Sequence, residues 1–163
     1  MIHAPRLLGA DERETYARHL LALDPHDRHL RFGAGLSDCT LRAYASGIDL
    51  ERDALFGVFY EGVTLIGAAH LARAPSHAEI GLTVAPDFRR RGIGSALVAT
   101  CCRHARTWGV RSIFMRCAAE NTAMRNLARA HGMRLIVDGP EVDAFLAMPE
   151  RRAIVRPAAP AHH

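Results

Sequence analysis

The sequence predicts an α+β (mixed α/β) fold: one central mixed sheet with helices on both faces. Three observations carry this. The chain has 163 residues, the size of one domain, and no internal repeat. Its segments read in order as two helices, an antiparallel run of strands, a helix, a strand, a helix and two strands. An apolar extended run ending at Val84 feeds a glycine-rich turn and then the best-patterned helix of the chain. A strand–helix–strand crossover of that kind joins parallel neighbours.

The elements follow from local chemistry. Asp11 is placed to cap a first helix, with Tyr16, His19, Leu20 and Leu23 at helical spacing. Residues 24–31 are polar and basic and read as a loop. Ser37 caps a second helix bearing Leu41, Tyr44, Ala45 and Ile48. Residues 53–60 and 63–72 read as strands joined by a tight Glu61-Gly62 hairpin, and 77–84 as a third strand. Ile93, Ala96, Leu97, Thr100, Cys101, His104, Ala105 and Trp108 then form one helical stripe, which Gly109 ends. Residues 111–117 return to strand. Asn121 caps a short helix with Met124, Leu127 and Ala128 inward and Gly132 at its end. Two strands near 133–137 and 142–148 close the domain, residues 1–149. Residues 150–163, rich in Ala, Pro and Arg, read as a disordered tail.

Composition narrows the function. Hydrophobic content of 49% and charged content of 23% are those of a soluble globular domain. The sequence offers no membrane span and no secretory leader. The four cysteines form no Cys-x-x-Cys pair, so reduced thiols and a cytoplasmic location are expected. Net charge is +4, and all 21 basic residues are arginine. The arginines are spread along the chain, and aromatic content is 6% with no base-stacking motif. Nucleic-acid binding is therefore not expected. His77-x-Glu79 lacks the Pro-Cys-x-x-Cys of a zinc deaminase. His26 and His29 lack a further ligand motif, so no metal is expected.

The one dense cluster of positive charge lies in the turn. In Arg89-Arg90-Arg91-Gly92-Ile93-Gly94-Ser95, two glycines remove Cβ atoms so that backbone N–H groups can share one concavity. The first amides of the following helix face the same way, at the positive end of its dipole. Such a site takes a phosphate or pyrophosphate. A P-loop needs a lysine, which the chain lacks, and a dinucleotide fingerprint needs a third glycine where Leu97 stands.

Arg89-x-x-Gly92-x-Gly94, after a Val-x-Pro strand exit, resembles the acetyl-CoA signature R/Q-x-x-G-x-G/A of the GNAT superfamily of N-acetyltransferases. The likeness in element order spans residues 3–149. The resemblance implies the GNAT acyl-CoA N-acyltransferase fold and acetyl-CoA as co-substrate. It implies that Leu82 and Val84 bond the pantetheine arm through their backbone. Arg89, Arg90, Arg91, Gly92, Ile93, Gly94 and Ser95 would serve the pyrophosphate, and Asn121 would also touch the coenzyme. It implies Glu79 as the base that deprotonates the acceptor amine through water, because an ammonium has no lone pair with which to attack a thioester. The tyrosine that often protonates the leaving thiolate is replaced by Ala128, so no general acid is named.

Segments 27–32, 48–52 and 78–80, with Asn121-x-x-Met124, are similar to the catalytic domain of Pat-type bacterial protein-lysine acetyltransferases. The expected acceptor is therefore a small-molecule amine or a protein lysine. Attack should be direct, in a ternary complex, since no Ser or Cys sits at a nucleophile elbow. The alternative is a coenzyme A-binding regulatory module with little turnover. The final strands offer an edge for a homodimer.

Overall fold

The computed structural model describes residues 1–149; the expected tail falls outside the described residues. A seven-stranded sheet runs in the order β1-β2-β3-β4-β5-β7-β6. Its strands are β1 (Arg6–Leu7), β2 (Ala54–Tyr60), β3 (Thr64–Arg73), β4 (His77–Val84), β5 (Ser112–Ala118), β6 (Arg134–Asp138) and β7 (Glu141–Ala147). Every pairing is antiparallel except β4 with β5. Five α-helices flank the sheet: α1 (Arg13–Leu21), α2 (Pro25–Phe32), α3 (Asp38–Gly47), α4 (Ile93–Trp108) and α5 (Thr122–Ala130).

The expected sandwich is present, with a separate core on each face. On one face, Leu97, Val98, Cys101 and Ala105 of α4 pack on Phe56, Val58, Ile80 and Ile113. On the other, Tyr16 and Leu20 of α1 and Leu41 and Ala45 of α3 pack on Leu55, Phe59 and Leu65. Burying apolar area on both faces of one sheet is the main source of its stability. Glu61 and Gly62 both take positive φ, at 52° and 70°, as the tight hairpin requires. Ser37 and Asn121 cap α3 and α5 through their side chains, as the sequence implies, and Gly109 closes α4 at φ 71°.

Two local expectations are corrected. Asp11 does not cap α1; it lies inside a short 3₁₀ turn, Ala10–Glu12, that leads into the helix. Residues 24–31 are not a loop. They form most of α2, where the Asp24 carboxylate accepts from the Asp27 amide at 2.8 Å, Pro25 occupies the first turn, and Gly33 ends the helix at φ 77°. Hydrophobic patterning does not reveal this helix because it buries little apolar surface. Arg28 anchors it instead, donating to the carbonyls of Leu21, Leu23 and Leu36.

The parallel pair β4–β5 positions the site. It holds for three rungs, His77 with Ser112, Ala78 with Ile113 and Glu79 with Phe114. Beyond Glu79, β4 stays with β3 through Val84 while β5 stays with β7 through Ala118. The sheet therefore splits at Glu79.

Candidate functional site

Two cavities open along this split. One, of about 630 Å³, is lined by Leu82, Thr83 and Val84 of β4, by Arg89, Arg90, Gly92, Ile93, Gly94 and Ser95 of the turn and α4, and by Asn121 and Leu127. Gly92 at φ 79° and Arg90 at φ 63° place left-handed residues on either side of Arg91, the alternation that turns successive amides inward. No side chain caps α4, whose first internal bond of this turn runs from the Ala96 amide to the Gly92 carbonyl at 3.0 Å. The amides of the first turn have no partner within the helix, and their residues, Gly92 to Ser95, line the groove at its positive end. A Cβ on Gly94 would lie 3.2 Å from Leu127 and 3.6 Å from Leu82, so a glycine there lets α4 approach α5 and β4. This chemistry fits a pyrophosphate.

The predicted coenzyme residues are thus brought together, with two departures in detail. Arg89 directs its guanidinium to Asp27 of α2 at 3.1 Å, and its Nε donates to the Val84 carbonyl at 3.1 Å. Arg91 lies outside the groove lining and stacks 5.1 Å over the Phe88 ring. Asn121 accepts from the Met124 amide through Oδ1 at 3.1 Å, which leaves its amide NH₂ available to the groove.

The second cavity, of about 440 Å³, contains the half-buried Glu79 on its wall, with Tyr44, His70, Arg116, Glu120 and Glu141. The two cavities share Leu30, Arg31, Leu82 and Met124. They therefore meet where the sheet splits.

A hydrogen-bonded chain supports the wall beside Glu79. Arg31 Nη2 donates to the Tyr44 hydroxyl at 2.9 Å. The hydroxyl meets His70 Nδ1 at 2.5 Å, and His70 Nε2 meets Asp53 Oδ2 at 2.8 Å. The carboxylate requires a donor at Nε2, so Nδ1 accepts from Tyr44 and every donor in the chain points the same way. Asp53 is fixed in turn by Arg52 Nε at 2.9 Å and by the Arg73 amide at 3.0 Å. Burial lowers the His70 pKa, partly offset by Asp53, so the imidazole is neutral at pH 7. Sequence reasoning misses Arg31, Tyr44, Asp53 and His70 as site residues. They come from α2, α3, the approach to β2, and β3, and no local spacing joins them.

A glycine turn and helix terminus opening onto a split sheet make an arrangement whose chemistry suits a phosphate-bearing ligand, with a second cavity beside it. A family model described as the acetyltransferase (GNAT) family matches residues 15–133, and the chain belongs to that family of acetyltransferases. Among solved structures it is similar to the GNAT domain of S. lividans PAT, with 19% identity over 88% of this chain and 89% of that one and a TM-score of 0.76. It is also similar to a Salmonella typhimurium protein solved with its cofactor acetyl-CoA (16% identity, 93% and 96% covered, TM-score 0.69). A third is the Salmonella typhimurium acetyl transferase that modifies the N-terminal serine of ribosomal protein L7/L12 (22% identity, 91% and 100% covered, TM-score 0.69). These likenesses carry the fold. No curated protein matches the chain.

Proposed function

We propose that the chain transfers an acetyl group from acetyl-CoA to a primary amine, either a small molecule or a protein lysine. The observation that carries this is the meeting of the two cavities at the split between β4 and β5. The groove along Leu82 and Val84 suits a pantetheine arm, with the pyrophosphate on the amides of the turn and Asn121 alongside. Val84 offers less than its resemblance implies, because its carbonyl already accepts from Arg89. The 440 Å³ cavity suits an amine.

Glu79 is the base in this reading. It stands on the last paired rung, where the acceptor cavity reaches the split. Its carboxylate takes a proton from the ammonium through a water. The freed lone pair attacks the thioester carbon, the carbon–sulfur bond breaks, coenzyme A leaves as thiolate, and the second nitrogen proton passes to solvent or to the thiolate, leaving the neutral amide. Calorimetry with acetyl-CoA and thiol release against polyamines, amino acids, aminoglycosides and lysine peptides test the proposal. Ala128 is buried in α5 and gives no hydroxyl at the usual general-acid position, which favours one second reading, a coenzyme-binding module without turnover. Acetyl-CoA binding without thiol release from any amine would select that reading. Absence of acetyl-CoA binding would reject both.

A further inference from the structure

We propose that Arg31 is a carboxylate-binding residue at the junction of the two cavities, and that it selects an amino acid as the acceptor. The inference rests on the acetyl-transfer reading for the placement of the amine and extends it to the acceptor's chemistry.

Arg31 has a built seat. It lies over Gly81, and a Cβ there would stand only 1.9 Å from Nη2 and 2.3 Å from Cζ. Phe32 supports the guanidinium face at 4.3 Å, and Tyr44 holds Nη2. Yet Arg31 forms no ion pair among the described residues. Asp27, the buried acid of the same helix, is paired with Arg89 instead. The Arg31 Nε is sealed from solvent and has no hydrogen-bond partner. A half-buried arginine that makes no ion pair is costly to keep in a fold, and the one carboxylate among the described residues whose charge acts on it, Glu79, is not bonded to it. A ligand carboxylate would meet the guanidinium through its Nη donors, since Nε is sealed from solvent.

The position says which carboxylate. Glu79 and Gly81 are two residues apart on one strand and face the same side, with Cα atoms ~7 Å apart. An acid for the ammonium thus stands beside a guanidinium for the carboxylate. An α-amino acid carries both groups on one carbon. Its amine would face Glu79 and the split, while its carboxylate would dock on Arg31. Because Arg31 also lines the coenzyme groove, a carboxylate on the acyl chain of the donor could reach it too.

Calorimetric titration separates the two sources without needing turnover. In one arm, free amino acids are compared with their carboxamides, with and without coenzyme A. In the other, succinyl-CoA is compared with butyryl-CoA. The expected result is at least tenfold tighter binding of one or more amino acids over their amides. That advantage should vanish in Arg31→Gln and in Gly81→Ala, which keeps the charge but removes its seat. A tenfold preference for succinyl-CoA that vanishes in the same variants supports the residue's role and moves the carboxylate to the donor. Wild-type protein with no carboxylate preference in either arm overturns the proposal, whatever the variants do. So does a preference that survives in both variants. Arg31-dependent amino acid binding without any coenzyme A binding would leave this subsite standing and reject the acetyl-CoA reading instead.

Discussion

The two halves of the site are made of different material. The proposed coenzyme side is largely main chain: amides of one turn, a helix terminus, and glycines that let the backbone come close. The proposed acceptor side is side chain, drawn from α2, α3 and four strands and held by a hydrogen-bonded chain from Arg31 to Asp53. A backbone site needs only a few residue types in a row. A side-chain site needs a complete tertiary structure, and one substitution can alter it.

That contrast can be broken by experiment. The largest effect is expected at Glu79. Glu79→Gln should lower turnover by roughly 10²–10⁴ while acetyl-CoA affinity, measured by calorimetry, stays near wild type. Partial recovery at high pH, where free amine exists in solution, would accompany it. Equal rates at pH 7 would remove Glu79 from the role.

Acid should loosen the helical layer formed by α1 and α3. His19 of α1 is buried, with Nδ1 on the Leu65 carbonyl at 3.3 Å and Nε2 on the Thr83 hydroxyl at 2.8 Å. Desolvation pushes its pKa down to about 4 from an ordinary 6.5. The unfolded chain therefore binds this proton more readily than the native one. Stability from this group is complete above pH 6.5 and lost as pH falls through 4, by about 3 kcal/mol. Urea titrations at pH 7 and pH 4 should show a smaller difference for His19→Gln than for wild type. An identical difference would show that His19 is not the titrating group.

On the coenzyme side, Gly94→Val should weaken acetyl-CoA binding tenfold or more, because its side chain meets Leu127 and Leu82 and crowds the groove. Amino acid or amine binding in the second cavity should stay unchanged, and a parallel loss there would erase the division between the halves. The smallest effect is expected for Arg89→Ala, a few-fold loss of acetyl-CoA affinity. Its guanidinium is already engaged by the buried Asp27, so little of its charge is free for the coenzyme. A loss above a hundredfold would mean that Arg89 abandons Asp27 for the coenzyme.

The same contrast explains which parts of the molecule are legible in the amino-acid sequence. Arg89-x-x-Gly92-x-Gly94 is contiguous, so the coenzyme turn, its preceding strand and α4 can be read from residue order alone. The caps Ser37 and Asn121 act within three residues and are legible for the same reason. Helix α2 is not, although Asp24, Pro25 and Gly33 mark its ends, because periodicity senses apolar burial and this helix is held by arginine. Tyr44 and His70 are equally hidden: each fits an ordinary helix or strand, and only the packing of α3 on β3 brings hydroxyl and imidazole together.

Helix α2 also sets how two ligands would sense each other. Within eight residues it carries Asp27, paired with Arg89 at the coenzyme mouth; His29, 3.3 Å from Glu120 across the split; and Arg31 at the junction. A pyrophosphate competing for Arg89 draws on the bond that steadies Asp27, one turn from Arg31. Coupling free energy is reciprocal, so whatever the coenzyme does to the seat of Arg31, an acceptor docked on Arg31 does to the coenzyme. Any coupling between the two ligands would thus run through one short helix, with no motion of the sheet required.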